Sequence, residues 1–223
     1  MKAAALVPAY NEAKTIAEVV RGVRPFVAQV LVVDDGSTDS TGDEARGAGA
    51  SVIAHPANQG KGHAVRTGLA HLLGDDFTHV ILMDGDMQHL PDETPRLLEA
   101  ARATDADVVI GERCFDPAHM PVSRYHTNRI GSRALSWFVG VPVPDTQCGF
   151  RVFRAEALRG MRLSASGYEV ETEMLIKLRR LGGRIATVPV TAVYNGQGSK
   201  LRPIRDTTRT CFLAVYYRYL QHL

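Results

Sequence analysis

A chain of 223 residues holds one ordinary domain and leaves little room for two. At 45% hydrophobic and 22% charged residues its composition is globular, which excludes bulk disorder, and three widely spaced cysteines without a CxxC pair exclude a zinc knot or a disulfide scaffold. The net charge is only +2, but residues 1–112 hold 9 Lys and Arg against 17 Asp and Glu, while residues 113–223 hold 17 against 7, an asymmetry suited to anionic partners.

The first half alternates short apolar runs with helical patterns. Strands are expected at residues 3–7, 30–33, 51–54, 79–83 and 107–111, and helices at 11–21, 37–46, 62–73 and 91–103. This rhythm predicts a doubly wound, mostly parallel α/β sheet. In the second half, 116–126 reads as a loop, 127–138 as a helix, 145–153 as a strand, 168–181 as a helix and 184–190 as a closing strand. A Gly-rich polar loop at 194–203 precedes a final helix at 206–220. The expected division is a domain over 1–206 and an amphipathic helix over 207–223. No run reaches the about 18–20 apolar residues of a membrane span, and the apolar start is too short for a signal peptide. The expectation is a cytoplasmic protein that meets membranes only at their surface, peripheral to the inner face. Its thiols are expected to be reduced.

Ligands of such sheets sit beyond the carboxyl ends of strands, and the chemistry-bearing residues cluster there. Asp84-Gly85-Asp86-Met87-Gln88 follows an apolar strand. Two carboxylates and an amide oxygen converging after a turn suit Mg²⁺ or Mn²⁺, with positions left for phosphate oxygens. Gly85 is expected to permit the tight turn. Asp34-Asp35-Gly36-Ser37-Thr38-Asp39 follows another strand. Its carboxylates can bond a base and a ribose, with Ser37 or Thr38 capping the next helix. Asn58-Gln59-Gly60-Lys61-Gly62 precedes a helix and could cradle phosphate, though it lacks the Walker pattern.

Arg113, Arg124, Arg129, Arg133, Arg151, Lys200, Arg202 and Arg205 supply cations to the second half, and guanidinium forks match phosphate. The acidic first half and the lack of a recognition motif speak against nucleic acid. Glu169, Glu171 and Glu173 alternate in a helix and cannot all face one site; one is expected inward. Phe212, Leu213, Tyr216, Tyr217 and Leu220 with Arg205, Arg209 and Arg218 fit either a helix at a lipid headgroup layer or one docked on its own core.

Seven stretches in order, ValProAlaTyrAsnGlu (7–12), ValValAspAspGlySerThrAsp (32–39), AsnGlnGlyLysGly (58–62), MetAspGlyAspMetGlnHis (83–89), AspThrGlnCysGlyPheArg (145–151), GlyTyrGluValGluThrGluMetLeu (167–175) and GlySerLysLeuArg (198–202), resemble family 2 glycosyltransferases with the GT-A fold. Within that family they most resemble polyprenyl-phosphate (dolichol-phosphate) mannosyl- and glucosyltransferases. The resemblance implies that Pro8, Tyr10, Glu12, Asp34, Asp35, Lys61 and Asp84 hold the nucleotide sugar, and that Asp84, Asp86 and Gln88 hold the metal. It further implies that Arg113 with Arg129 or Ser132 holds the acceptor phosphate, and that Lys200 and Arg202 reach the donor diphosphate or the acceptor. Many bacterial relatives carry two membrane spans after this domain; this sequence carries none.

The expected reaction is inverting transfer from a GDP- or UDP-sugar to a polyprenyl phosphate, with Asp86 and Arg113 in the reacting centre. A soluble hydroxyl acceptor, a sugar or a glycerate, would require a carboxylate base, Asp145 or Glu171. A nucleotidyltransferase would show an early Gly-rich arm where this chain has ProAlaTyrAsnGlu. A catalytically silent partner subunit is the remaining alternative, and intact Asp84, Asp86 and Gln88 argue against it.

Overall fold

The structure is a computed structural model, and it describes residues 1–113, 136–137, 140, 145, 148–193 and 203–217. Among the described residues the strands are β1 (Ala3–Ala9), β2 (Gln29–Asp34), β3 (Ser51–Ala54), β4 (His79–Leu82), β5 (Val108–Arg113), β6 (Arg151–Arg154) and β7 (Ile185–Val190). These seven form one sheet in the order β3-β2-β1-β4-β6-β5-β7. All of β1 is buried, which is why it reads as an unbroken apolar run rather than as an alternation. β1 pairs in parallel with β2 and with β4, Leu6 lying opposite Leu31 on one side and Leu82 on the other.

The chain therefore winds outward from β1 in one direction, through β2 and β3, and then returns to add β4 on the other side. The crevice at the carboxyl ends of β1 and β4 is the topological switch point, where open α/β sheets bind ligands. β6 enters antiparallel between β4 and β5, with Val152 opposite both Ile81 and Val109. The strand expected over 145–153 is thus confined to Arg151–Arg154, because Cys148–Phe150 is committed to the site described below.

Helices α1 (Ile16–Val23), α2 (Thr41–Gly47), α3 (Lys61–Leu72), α4 (Thr94–Ala103), α5 (Ala155–Arg159), α6 (Val170–Arg180) and α7 (Pro203–Val215) follow. In α1, Ile16, Val19, Val20 and Val23 are buried, the spacing of a single apolar helix face. α1 begins five residues after the expected start at 11, because Tyr10–Glu12 is drawn into the site. α7 begins at Pro203 rather than at 206. The helix expected over 127–138 lies almost wholly outside the described residues.

All three glutamates at the start of α6 are buried, not one. Their alternation sends each to a different neighbour: Glu169 to the Gly167 amide, Glu171 to Lys61 and Arg151, and Glu173 to Ser164, Ala165, Lys177 and Tyr217. The Tyr217 hydroxyl donates to Glu173 Oε1 at 2.7 Å, and the Lys177 ammonium lies 2.7 Å from the same oxygen. Burial works to raise the Glu173 carboxyl, but the bonds from Lys177, Tyr217 and the Ala165 amide hold it down to about 2. The end of the chain's last helix is thereby docked on its own core through Tyr217, while Phe212 on the same helix is 69% exposed.

Candidate active site

Four strand ends converge on the crevice. β1 runs into Tyr10-Asn11-Glu12, β2 into Asp34-Asp35, β4 into Met83-Asp84, and β5 ends at Arg113. Asn11 adopts a left-handed conformation with φ 52°; its amide donates to Ser37 Oγ and its side-chain oxygen accepts from the Thr38 amide. Ser37 and Thr38 therefore lock the first loop instead of capping α2. The carboxylate that bonds the first turn of α2 is Asp39, which accepts from the Thr41 amide at 3.0 Å. Glu12 is buried, its amide donating to Thr41 Oγ1. Pro8 lies within β1 opposite Val33, one residue short of the crevice.

The two carboxylates after β2 are both engaged. Asp34 Oδ1 accepts from the Ser37 amide at 2.9 Å. Asp35 accepts from His55 Nδ1 at 2.7 Å and from the amides of Gln59 and Gly60 at 3.1 and 2.7 Å, so it organises the loop 55–60. His55 Nε2 in turn faces Thr67 Oγ1 on α3 at 3.0 Å. Gly36, at φ 73°, passes so close to Ala57 that a Cβ would lie 2.4 Å from its carbonyl carbon; only glycine fits. The loop 58–62 is not a phosphate cradle in this arrangement. Its amides at Gln59 and Gly60 serve Asp35, and the Gly62 amide donates to Ser166 O.

Lys61, the first residue of α3, projects across the crevice. Its ammonium lies 2.5 Å from Asp84 Oδ1 and 2.5 Å from Glu171 Oε1. Burial alone would lower its proton affinity, but the two carboxylates override that and raise it above the ordinary lysine value. Burial likewise works to raise Asp84, and the Lys61 ammonium outweighs it and holds the carboxyl low. Glu171 also meets Arg151, whose wholly buried guanidinium donates to Cys148 O at 2.7 Å and Glu171 O at 2.8 Å.

Asp86 differs. Burial and the adjacent Asp84 carboxylate push it up to about 6. Its oxygens accept from the Gln88 amide at 3.0 Å and from Gln88 Nε2 at 2.7 Å. The left-handed residue of this turn is Met87, at φ 59°, and not Gly85; Gly85 instead makes room beside Ile16, Ala9 and Glu12. A carboxylate whose proton affinity is raised by a second carboxylate beside it is a site in want of a cation, so the donor chemistry fits Mg²⁺ or Mn²⁺. Among the described residues no group of three or more His, Cys, Asp and Glu converges. Two carboxylates with open positions is the pattern of a cation that completes its shell with phosphate oxygens.

At the end of β5, Arg113 grips Asp145 with two bonds, Nε to Oδ2 at 2.5 Å and Nη2 to Oδ1 at 2.9 Å. His89 packs on Phe150, 5.7 Å between ring centroids, and its Nε2 lies 3.6 Å from Cys148 Sγ. Burial and the nearby Arg113 push His89 down to about 4, and burial with the nearby Asp145 pushes the Cys148 thiol up to about 12, so this thiol is inert. The expected site residues Arg129, Ser132, Lys200 and Arg202 lie outside the described residues. His55 was not among the expected residues; once β2 and β3 are paired with Asp34 opposite Ala54, the next residues, Asp35 and His55, must meet.

The chain matches the family model described as glycosyl transferase family 2 over residues 4–162. It is 35% identical to the glycosyltransferase AglJ of Haloferax volcanii over 96% of this chain and 70% of that protein. It is also 35% identical to an undecaprenyl-phosphate mannosyltransferase of Micrococcus luteus, over 89% of this chain and 86% of that one. Among solved structures it resembles glucosyl-3-phosphoglycerate synthase of Mycobacterium tuberculosis in complex with Mn²⁺ and UDP-glucose. That likeness has a TM-score of 0.77 at 25% identity, over 97% of this chain and 78% of that one. With a GT-A sheet, the strand-end motifs and these relatives in agreement, the chain belongs to glycosyltransferase family 2.

Proposed function

We propose that this glycosyltransferase moves a sugar, with inversion, from a GDP- or UDP-sugar to the phosphate of a polyprenyl phosphate. The observation that carries the choice of acceptor is the engagement of both candidate bases. Asp145 is gripped by Arg113 through two bonds, and Glu171 lies between Lys61 and Arg151. A hydroxyl acceptor needs a carboxylate to take its proton, whereas a phosphate monoester is already ionised near neutral pH and needs none. The similarity to the undecaprenyl-phosphate mannosyltransferase of Micrococcus luteus supports the same reading.

Asp84 and Asp86, with the side-chain oxygen of Gln88 after an amide rotation, would hold Mg²⁺ or Mn²⁺. The cation would neutralise the leaving nucleoside diphosphate. Asp34, with one hydrogen bond from Ser37, and Tyr10 and Glu12 line the strand ends where the nucleoside would sit. Lys61 stands beside Asp84, within reach of a diphosphate drawn to that turn. Asp145 fixes the Arg113 guanidinium at the end of β5, so that Arg113 orients the acceptor phosphate. Lys200, Arg202, Arg129 and Ser132 stay in the roles the family resemblance implies. Among the described residues no helix is long and apolar enough to cross a membrane, and the acceptor would be met at the cytoplasmic membrane surface, along α7.

A soluble phosphorylated acceptor is the second reading, favoured by the likeness to a synthase also solved with phosphoglyceric acid. The two separate in one assay. Protein, Mn²⁺ and a panel of UDP- and GDP-sugars are incubated with polyprenyl phosphate or with 3-phosphoglycerate. Metal-dependent glycolipid is expected with the first acceptor alone. Transfer only to phosphoglycerate would overturn the lipid reading, and full turnover in chelator would overturn the metal.

A further inference from the structure

The Lys61 ammonium stands against Asp84, one of the two carboxylates assigned above to the divalent cation. We infer that Lys61 is an internal counter-ion of the acidic turn, displaced from Asp84 when a divalent cation enters, so that cation and nucleoside diphosphate bind together rather than independently. The inference rests on the metal reading above and adds a device that controls its loading.

Ammonium and divalent cation compete for the same carboxylate, because both are drawn to Asp84 and only one can lie against a given oxygen. Lys61 carries a point charge with three donors on a flexible stem. It is tethered at both ends of its reach. Its backbone begins α3, behind a Gly60 whose amide is fixed by Asp35. Its ammonium is shared with Glu171, and Glu171 is anchored by the buried Arg151. The Tyr168 ring lies 5.5 Å from the ammonium.

Released from Asp84, the ammonium stays on Glu171 and can turn a donor toward a phosphate oxygen. A bare cation must eject Lys61 with only Glu171 left as its anionic partner. A cation arriving with a diphosphate brings both the ligands that complete its own shell and a new anionic partner for Lys61.

The test is a Mn²⁺ titration read by the electron paramagnetic resonance of the free ion, on the full chain, with and without UDP or GDP. In the unaltered protein, diphosphate is expected to tighten Mn²⁺ binding. Lys61→Met keeps the stem and removes the charge; Mn²⁺ alone is expected to bind about tenfold tighter or better, the scale on which one adjacent cation alters a carboxylate's affinity for a proton. Glu171→Gln keeps an acceptor oxygen for Arg151 but leaves Lys61 only Asp84 as its anionic partner, so Mn²⁺ alone is expected to bind more weakly.

A purely structural role for Lys61 and Glu171 predicts no such opposite signs. Unchanged or weaker Mn²⁺ binding in a folded Lys61→Met variant would overturn the inference. If circular dichroism shows that variant unfolded, Glu171→Gln decides, and unchanged or tighter binding there overturns it. Asp86→Asn serves as the control: binding of Mn²⁺ undiminished in that variant would remove the metal reading itself, whatever Lys61 does.

Discussion

Gly149 and Asp84 are in contact so close that a Cβ on residue 149 would lie 2.3 Å from Asp84 Oδ2. Asp84 cannot yield easily, because Lys61 holds its other oxygen at 2.5 Å. The glycine between Cys148 and Phe150 is thus the wall against which the acidic turn is aimed. Gly149→Ala is expected to swing the carboxylate away from its position. A misaimed ligand harms transfer more than folding, so kcat/KM should fall by about a hundredfold while stability drops by only about 1 kcal/mol. Steady-state assays and thermal melts on the same preparation check both. Activity within twofold of the unaltered protein would show that this contact does not set the turn.

Asp86 gives the folded protein a pH dependence with a definite sign. Its folded-state value of about 6 lies above the ordinary aspartate value of 3.8. The folded protein therefore holds this proton more tightly than the unfolded chain does, and stability falls as pH rises between those values. Below the window the effect is absent; above it the folded state bears the whole penalty, at most about 3 kcal/mol. Asp86→Asn removes the charge and should raise Tm at pH 7 in chelator, with the gain vanishing near pH 4. Melts of the two proteins at both pH values decide it, and equal Tm at pH 7 would refute it.

The fold was legible because parallel strands buried on both faces carry apolar runs that announce themselves, and because Asp84 and Asp86 directly follow one of them. What the sequence concealed were partnerships across the chain. Nothing local to Glu171 says that Lys61, 110 residues away, is its partner. Nothing near Asp145 marks Arg113 as its clamp, and the base role considered for Asp145 was open for that reason. The antiparallel entry of β6 between β4 and β5 was equally hidden, since a four-residue strand has the same pattern in either direction. Asp39 bonds the first turn of α2 in place of the expected Ser37 or Thr38, because a capping residue is identified by the helix start, and α2 begins at Thr41.

Tyr217 tests the docking of the last helix. Its hydroxyl donates to a buried carboxylate that also holds Ser164, Ala165 and Lys177. Tyr217→Phe removes one bond to a charged acceptor while keeping the ring under Lys177 and Arg180. The expected loss is about 1.5–3 kcal/mol, read from urea unfolding. Because Glu173 is held low at about 2, below the ordinary glutamate value, its contribution is present above pH 4.5 and is lost as pH falls toward 2. The difference between Tyr217→Phe and the unaltered protein should therefore shrink on acidification. A difference that does not change with pH would mean that the hydroxyl does not act through Glu173.

Phe212 tests the membrane surface by a single substitution, which leaves Tyr217 on Glu173 where removal of residues 207–223 would not. Phe212 is 69% exposed, Tyr216 42% and Val215 40%, so α7 keeps an outward apolar edge after its inner residues have docked. Arg209 lies on the same helix and lines, with Phe212 and Leu213, a cavity of about 590 Å³ against Ser166 and Glu169. An aromatic edge beside a cation suits the boundary between headgroups and acyl chains. The protein is expected to sediment with vesicles containing anionic lipid, and Phe212→Asp to lower that partition by about tenfold, as expected when one apolar anchor is exchanged for a like charge facing the lipid. Turnover with a short, water-soluble polyprenyl phosphate should be kept in Phe212→Asp, because the residue serves the surface and not the crevice. Vesicle binding of Phe212→Asp equal to that of the unaltered protein would show that α7 does not meet the bilayer.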